Sequence, residues 1–135
     1  MNDEQIKMVK KSWDKVAPIS STAAELFYGR LFEVAPGVRA LFPVEMADQK
    51  RKLMTTIGSI VSRLDGLDVL NPQIHALARR HVSYGAEPAH YEAVGACLLW
   101  TLDKGLGDDF TPELREAWTA AYALLSASMI AAAEA

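Results

Sequence analysis

All three histidines of this chain fall in one stretch, I-H-A-L-A-R-R-H-V-S-Y-G-A-E-P-A-H-Y, from Ile74 to Tyr91. His81 is the one whose setting is chemical. Ile74, Leu77 and Ala78 precede it at helical spacing and are all apolar, so on a helix they share its face. An imidazole at the end of an apolar stripe is turned to the interior, or to an apolar body that the stripe grips. Two readings stand on the spacing: a core histidine with a satisfied hydrogen bond, or a ligand to a metal or a haem. No His, Cys, Asp or Glu follows at the next turn, where Gly85 stands, so a zinc site on this helix is not expected. One histidine leaving an apolar face suits a single axial ligand, with a planar cofactor covering the rest. Two other polar groups stand on inward faces. Gln49 lies one turn before Leu53, and Tyr28 lies on a broadly apolar helix; on spacing alone, a surface glutamine and a core tyrosine serve equally well. His75, with Arg79 a turn later, is expected to face solvent, and His90 to be partly exposed and structural.

The elements that must position these groups read with helical period throughout, and no run of alternating β-branched residues competes. The fold class is all-α: six longer helices and one or two short ones in a single domain, residues 1–135. The first helix runs from Asn2 or Asp3 to Val16, where Pro18 stops it. Ser20 or Ser21 is expected to cap the second, which ends near Val34. A short helix V-R-A-L-F ends at Phe42. Asp48 is expected to cap a helix from Gln49 to Leu64, closed by Asp65-Gly66. Asn71-Pro72 opens the histidine helix as a cap followed by proline, and Gly85 and Pro88 close it. A further helix runs from Glu87-Pro88 to about Lys104, with Gly105 and Gly107 after it. The last opens at Thr111-Pro112 and frays over Ala131 to Ala135.

Composition narrows the function classes. The chain has 135 residues, half of them hydrophobic, with a net charge of −3. That balance gives no electrostatic footprint for nucleic acid or an anionic membrane. The single cysteine, Cys97, cannot form an internal disulfide, and in G-A-C-L-L-W it reads as a buried thiol. The N-terminus lacks the apolar core of a signal peptide, and no apolar run is long enough to span a bilayer. A cytoplasmic protein is expected. No nucleophile elbow, phosphate loop, dinucleotide fingerprint or paired catalytic carboxylate is present.

Together the pieces L-F-Y-G-R-L-F (26–32), A-P-G-V-R-A-L-F (35–42), D-Q-K-R-K-L-M (48–54), R-R-H-V-S-Y (79–84), H-Y-E-A-V-G-A-C-L-L (90–99) and A-W-T-A-A-Y (117–122) resemble a globin. More narrowly, they resemble the globin domain of flavohaemoglobins and their single-domain bacterial relatives. Each piece is short; their order covers the chain. The resemblance implies a globin fold around haem b, with His81 as proximal iron ligand, Leu77 under the porphyrin and Phe42 stacked on it. Tyr28, Gln49 and Leu53 match the distal residues of the family, and Arg80 and Lys52 are placed to pair with haem propionates. Tyr91 matches the tyrosine behind the proximal histidine. The family's partner glutamate falls, counting from Trp118, on Ala133, and Glu134 is one step of about 100° further round the helix. The proximal hydrogen-bond chain is therefore in question.

The expected function is high-affinity reversible binding of oxygen and other diatomic gases. Two donors, a phenol and an amide, would meet the negative charge that oxygen gathers on ferrous iron. A hydrogen bond to a charged partner contributes about 1.5–3 kcal/mol, slowing oxygen loss about tenfold to a hundredfold. The resemblance further implies nitric oxide scavenging by dioxygenation, or oxygen supply. The chain ends at Ala135 without a reductase domain, so turnover is expected to need a separate reductase. Monomer and homodimer both remain open. The rival reading is a haem-free, globin-like helical module for sensing or protein interaction.

Overall fold

In a computed structural model, the structure describes residues 1–83 and 85–134, and the side chains of all of these but Asp68, Pro88, Ala133 and Glu134. Six α-helices form the frame: α1 (Asp3–Val16), α2 (Ser20–Val34), α3 (Ala47–Ser62), α4 (Asn71–Ser83), α5 (Pro88–Leu106) and α6 (Pro112–Glu134). Short 3-10 turns join several of them, at Ala17–Ile19, Pro36–Leu41, Leu64–Leu70 and Gly107–Asp109. Among the described residues there is no strand, and no helix is long and apolar enough to cross a membrane.

Local chemistry sets most boundaries. Asn2 opens α1 with a reciprocal cap: its side chain accepts from the Gln5 N–H at 2.8 Å, and the Gln5 side chain accepts from the Asn2 N–H. Two free donors of the first turn are thereby satisfied. Gly85 ends α4 at φ +92°, a conformation that a side chain would strain. Gly107 does the same for α5 at φ +57°, so α5 runs past Gly105.

Three expected caps are corrected. Neither Ser20 nor Ser21 caps α2 by its side chain. The turn around Pro18 leads straight into the helix, and the Ser20 N–H is already bonded to the Ala17 carbonyl. Asp48 lies inside α3, whose first backbone bond reaches back from Lys50 to the Met46 carbonyl; its carboxylate turns instead to Arg51. Asn71 is the first residue of α4 rather than the one ahead of it. The other end of α3 also moves: it stops at Ser62, and Leu64 begins the 3-10 run that contains Gly66.

The packing divides in two. The main core gathers Val9, Val16, Phe27, Leu31, Leu102 and Trp118 where α1, α2, α5 and α6 cross. A satellite cluster of Ile74, Ala78 and Met129, flanked by Leu77, Tyr91 and Leu125, joins α4 to α6. The histidine helix thus rests on α6, while α2 packs on α3 and α5. The space between these two packings is where the site lies.

Candidate functional site

A cavity of about 480 Å³ opens there, a size typical of cofactor sites. Its wall is built mainly of aliphatic and aromatic side chains from α2, α3, α4, α5 and α6. Tyr28, Phe42, Gln49, Lys52, Leu53, Leu77, Arg80, His81 and Tyr91 all line it. The structure therefore brings every residue singled out from sequence for cofactor or ligand contact to one space. The side chain of Glu134, the candidate partner of Tyr91, lies outside the described ones.

On the α4 side, His81 is half-buried and its Nδ1 lies 2.8 Å from the Leu77 carbonyl oxygen one turn earlier. A carbonyl only accepts, so Nδ1 carries a proton, and in the neutral ring the lone pair is then on Nε2. Such a bond fixes the tautomer and plane of a ligating imidazole. The Tyr91 ring lies behind it, nearly parallel at 27° with centroids 6.5 Å apart. Leu77, on the same face of α4, joins the wall.

On the α2–α3 side, the Gln49 amide donates to the Tyr28 hydroxyl at 3.2 Å. Tyr28 is 4% exposed. Burial raises its pKa, and the Gln49 hydrogen bond lowers it by less. The phenol therefore keeps its proton at neutral pH and remains a donor. Its ring is held edge-on by Phe27 and Phe42, at 5.1 and 5.5 Å between centroids. Leu53 fills the wall beside this pair, while Lys52 and Arg80, both exposed, stand at the rim.

Sequence reasoning gave no site role to Tyr122, which also lines this wall. Tyr122 donates to the Tyr91 backbone carbonyl at 2.6 Å. Burial, with Tyr91 and Cys97 alongside, raises its pKa far above the ordinary tyrosine value. The signal was Gly95: a Cβ there would fall 2.7 Å from the Tyr122 ring, so the glycine lets α5 and α6 close on each other. His90 also lines the cavity, and its Nδ1 accepts from the Glu87 N–H at 2.9 Å. It is a cap residue of α5, in keeping with a structural role. His75 is exposed, and Cys97 is buried with its thiol pKa raised by burial.

Among the described residues, no group of three His, Cys, Asp or Glu side chains could hold a metal ion. The donor set is one imidazole facing an apolar cavity with a phenol and an amide. Those features suit a flat, largely apolar cofactor with a single protein ligand.

The globin family profile matches residues 25–129. This chain belongs to the globin family. It is 34% identical over 129 residues to a flavohaemoprotein of Rhodopirellula baltica, an alignment covering 93% of this chain and 32% of that protein. The chain thus spans about a third of that relative's length. A neuroglobin of Tetraodon nigroviridis is 29% identical over 143 residues, covering 96% of this chain and 90% of the neuroglobin. Among solved structures, a bacterial globin from Campylobacter jejuni superposes with a TM-score of 0.90 at 24% identity, covering 98% of this chain and 96% of that one. An engineered carbene transferase from Rhodothermus marinus, described as a putative nitric oxide dioxygenase, gives 0.90 at 25% identity over 99% and 94% of the two chains. The helical frame is thus that of the globin fold.

Proposed function

We propose that this globin holds a haem in the cavity, through His81, and binds oxygen and other diatomic gases there. The observation that carries this reading is the meeting of the oriented His81 imidazole and the Tyr28–Gln49 donor pair on one apolar cavity. When bound, the haem supplies reversible gas ligation and one-electron redox chemistry at its iron.

The chain's own residues do the rest. His81, with its Nδ1 turned to the Leu77 carbonyl, would hold the haem iron through Nε2. Leu77 and Phe42 would offer apolar surface to the porphyrin, and Lys52 and Arg80 would offer positive charge to its propionates. Tyr28 accepts from Gln49 and so keeps its own hydroxyl proton for whatever gas occupies the distal space. Gln49 both positions that hydroxyl and adds an amide donor. Leu53 and the surrounding aromatic rings exclude water, which strengthens both hydrogen bonds. Tyr91, anchored by Tyr122, backs the imidazole. These roles favour slow oxygen release, and slow release suits chemistry on captured oxygen.

Nitric oxide dioxygenation is the reaction this arrangement supports, with the electrons supplied by a flavin reductase as in flavohaemoproteins. The similarity to the flavohaemoprotein family supports it. The test is multiple turnover. Reconstituted protein supplied with haem, oxygen, nitric oxide and a flavin reductase is expected to form many nitrates per haem. A yield that stops at one nitrate per haem, with or without the reductase, assigns the chain to gas carriage instead. Protein that takes up no haem, with no Soret band after reconstitution, refutes the haem reading itself.

A further inference from the structure

The three tryptophans are unequally placed. Trp118 lines the cavity and is 3% exposed. Its Nε1–H donates to the Ser12 hydroxyl at 2.8 Å, and Ser12 donates in turn to the Val9 carbonyl. Trp13 packs against the Trp118 ring and is not part of the cavity wall, with centroids 6.1 Å apart and planes tilted by 54°. Unlike Trp118 it is only half-buried. Two indoles in contact thus lead from the cavity wall to solvent. Trp100 lies off this line. The Arg30 guanidinium stands 5.2 Å from its ring centroid and the Lys104 ammonium 5.8 Å.

We propose that Trp118 and Trp13 form an electron relay, which delivers oxidising equivalents from the cavity to the surface when a peroxide reacts there. The proposal rests on the haem reading, because the haem is what a peroxide would oxidise. An indole can lose an electron before its proton leaves, so Trp118 passes charge although its N–H is tied to a neutral hydroxyl. A phenol must shed its proton as it is oxidised. Tyr122 directs its proton at a peptide carbonyl and Tyr28 meets an amide donor; neither partner is a base. The cations over Trp100 oppose removal of an electron from that ring. Trp13 is therefore the terminus.

The reaction balances with hydrogen peroxide as the oxidant. Peroxide takes up two electrons and two protons, its O–O bond breaks, and it becomes two waters. Both electrons come from Trp13 in successive passages through Trp118. A water molecule adds to a carbon of the oxidised Trp13 ring, and two protons are released. The sum is one tryptophan and one hydrogen peroxide giving one oxygenated tryptophan and one water. The added oxygen comes from solvent, whereas direct attack by peroxide on an exposed indole would insert peroxide's oxygen.

The test treats the haem-loaded protein with hydrogen peroxide in heavy-oxygen water and maps oxidised residues by mass spectrometry. The expected result is solvent oxygen on Trp13 and none on Trp100, falling to the level of a cyanide-blocked control in Trp118→Phe. Trp13 left unmodified, carrying peroxide oxygen, or modified equally in Trp118→Phe overturns the relay. If Trp118→Phe does not fold, freeze-quenched paramagnetic resonance of the wild type with ring-deuterated tryptophan decides. An indole radical supports the relay; a tyrosyl radical alone, or none, overturns it. A missing Soret band before peroxide is added marks failure of the haem reading rather than of the relay.

Discussion

Replacing Gly95 with alanine probes how closely the back of the cavity is assembled. The new Cβ would fall 2.7 Å from Cε2 and 2.9 Å from Cδ2 of Tyr122. Favourable carbon contacts lie at about 3.5–4.0 Å, so the ring or the helix must give by about 1 Å. Tyr122 cannot swing away without losing its 2.6 Å hydrogen bond to the Tyr91 carbonyl. Overpacking costs about 1–3 kcal/mol and the lost hydrogen bond about 1 kcal/mol. Alanine returns about 0.8–1 kcal/mol through its better helix propensity. The net expectation is a loss of about 1–3 kcal/mol, read from urea denaturation midpoints at unchanged slope. With Tyr122→Ala already in place the clash is gone, and Gly95→Ala should stabilise by about 0.8–1 kcal/mol. The reversal of sign is the decisive feature. A Gly95→Ala variant that is neutral or more stable in the wild-type background would refute the claimed contact.

Tyr28→Phe is expected to speed oxygen dissociation about tenfold to a hundredfold, from a lost bond of about 1.5–3 kcal/mol; an unchanged rate in stopped-flow would place the hydroxyl elsewhere. Ser12→Ala leaves the buried Trp118 N–H without its acceptor and should cost about 1–3 kcal/mol in urea unfolding. A loss near zero would mean that the indole finds another partner. Burial raises the pKa of Tyr28, Tyr91 and Tyr122 above the ordinary tyrosine value of about 10. A raised folded pKa means that the unfolded chain ionises first. Stability is therefore intact below pH about 10 and falls as pH rises beyond it. Alkaline titration followed by circular dichroism should show this fall, and Tyr122→Phe should make it shallower. A slope equal to that of the wild type would contradict the assigned burial.

The helical frame was readable because apolar period, proline and glycine act locally. Pro18, Gly85 and Gly107 break helices through their own backbone limits, and Asn2 caps through residues next to it. His81, Tyr28 and Gln49 could be placed inward for the same reason, each being polar on an otherwise apolar face. What failed was also local in appearance but decided elsewhere. Asp48 and Ser20 have good capping side chains, yet each already lies within its helix, with Met46 and Ile19 at the N-cap positions. The Tyr122–Tyr91 bond joins residues 31 positions apart; helical period puts both rings inward without saying which of them meet. Gly95 leaves room for a close approach, but that the Tyr122 ring of α6 fills it is visible only in the packed structure. His90 looked like a residue at a helix start, and its use of Nδ1 as an acceptor depends on the path of the chain at Glu87.

The central claim is that His81 is the axial ligand of a haem held in this cavity. The most direct measurement compares absorption spectra of the ferrous, reconstituted wild type and His81→Ala. The account predicts a Soret band in the wild type, and in the variant either no stable haem uptake or a ferrous spectrum changed by loss of the imidazole. A wild type with no Soret band, or a variant whose ferrous spectrum matches it, would contradict the account.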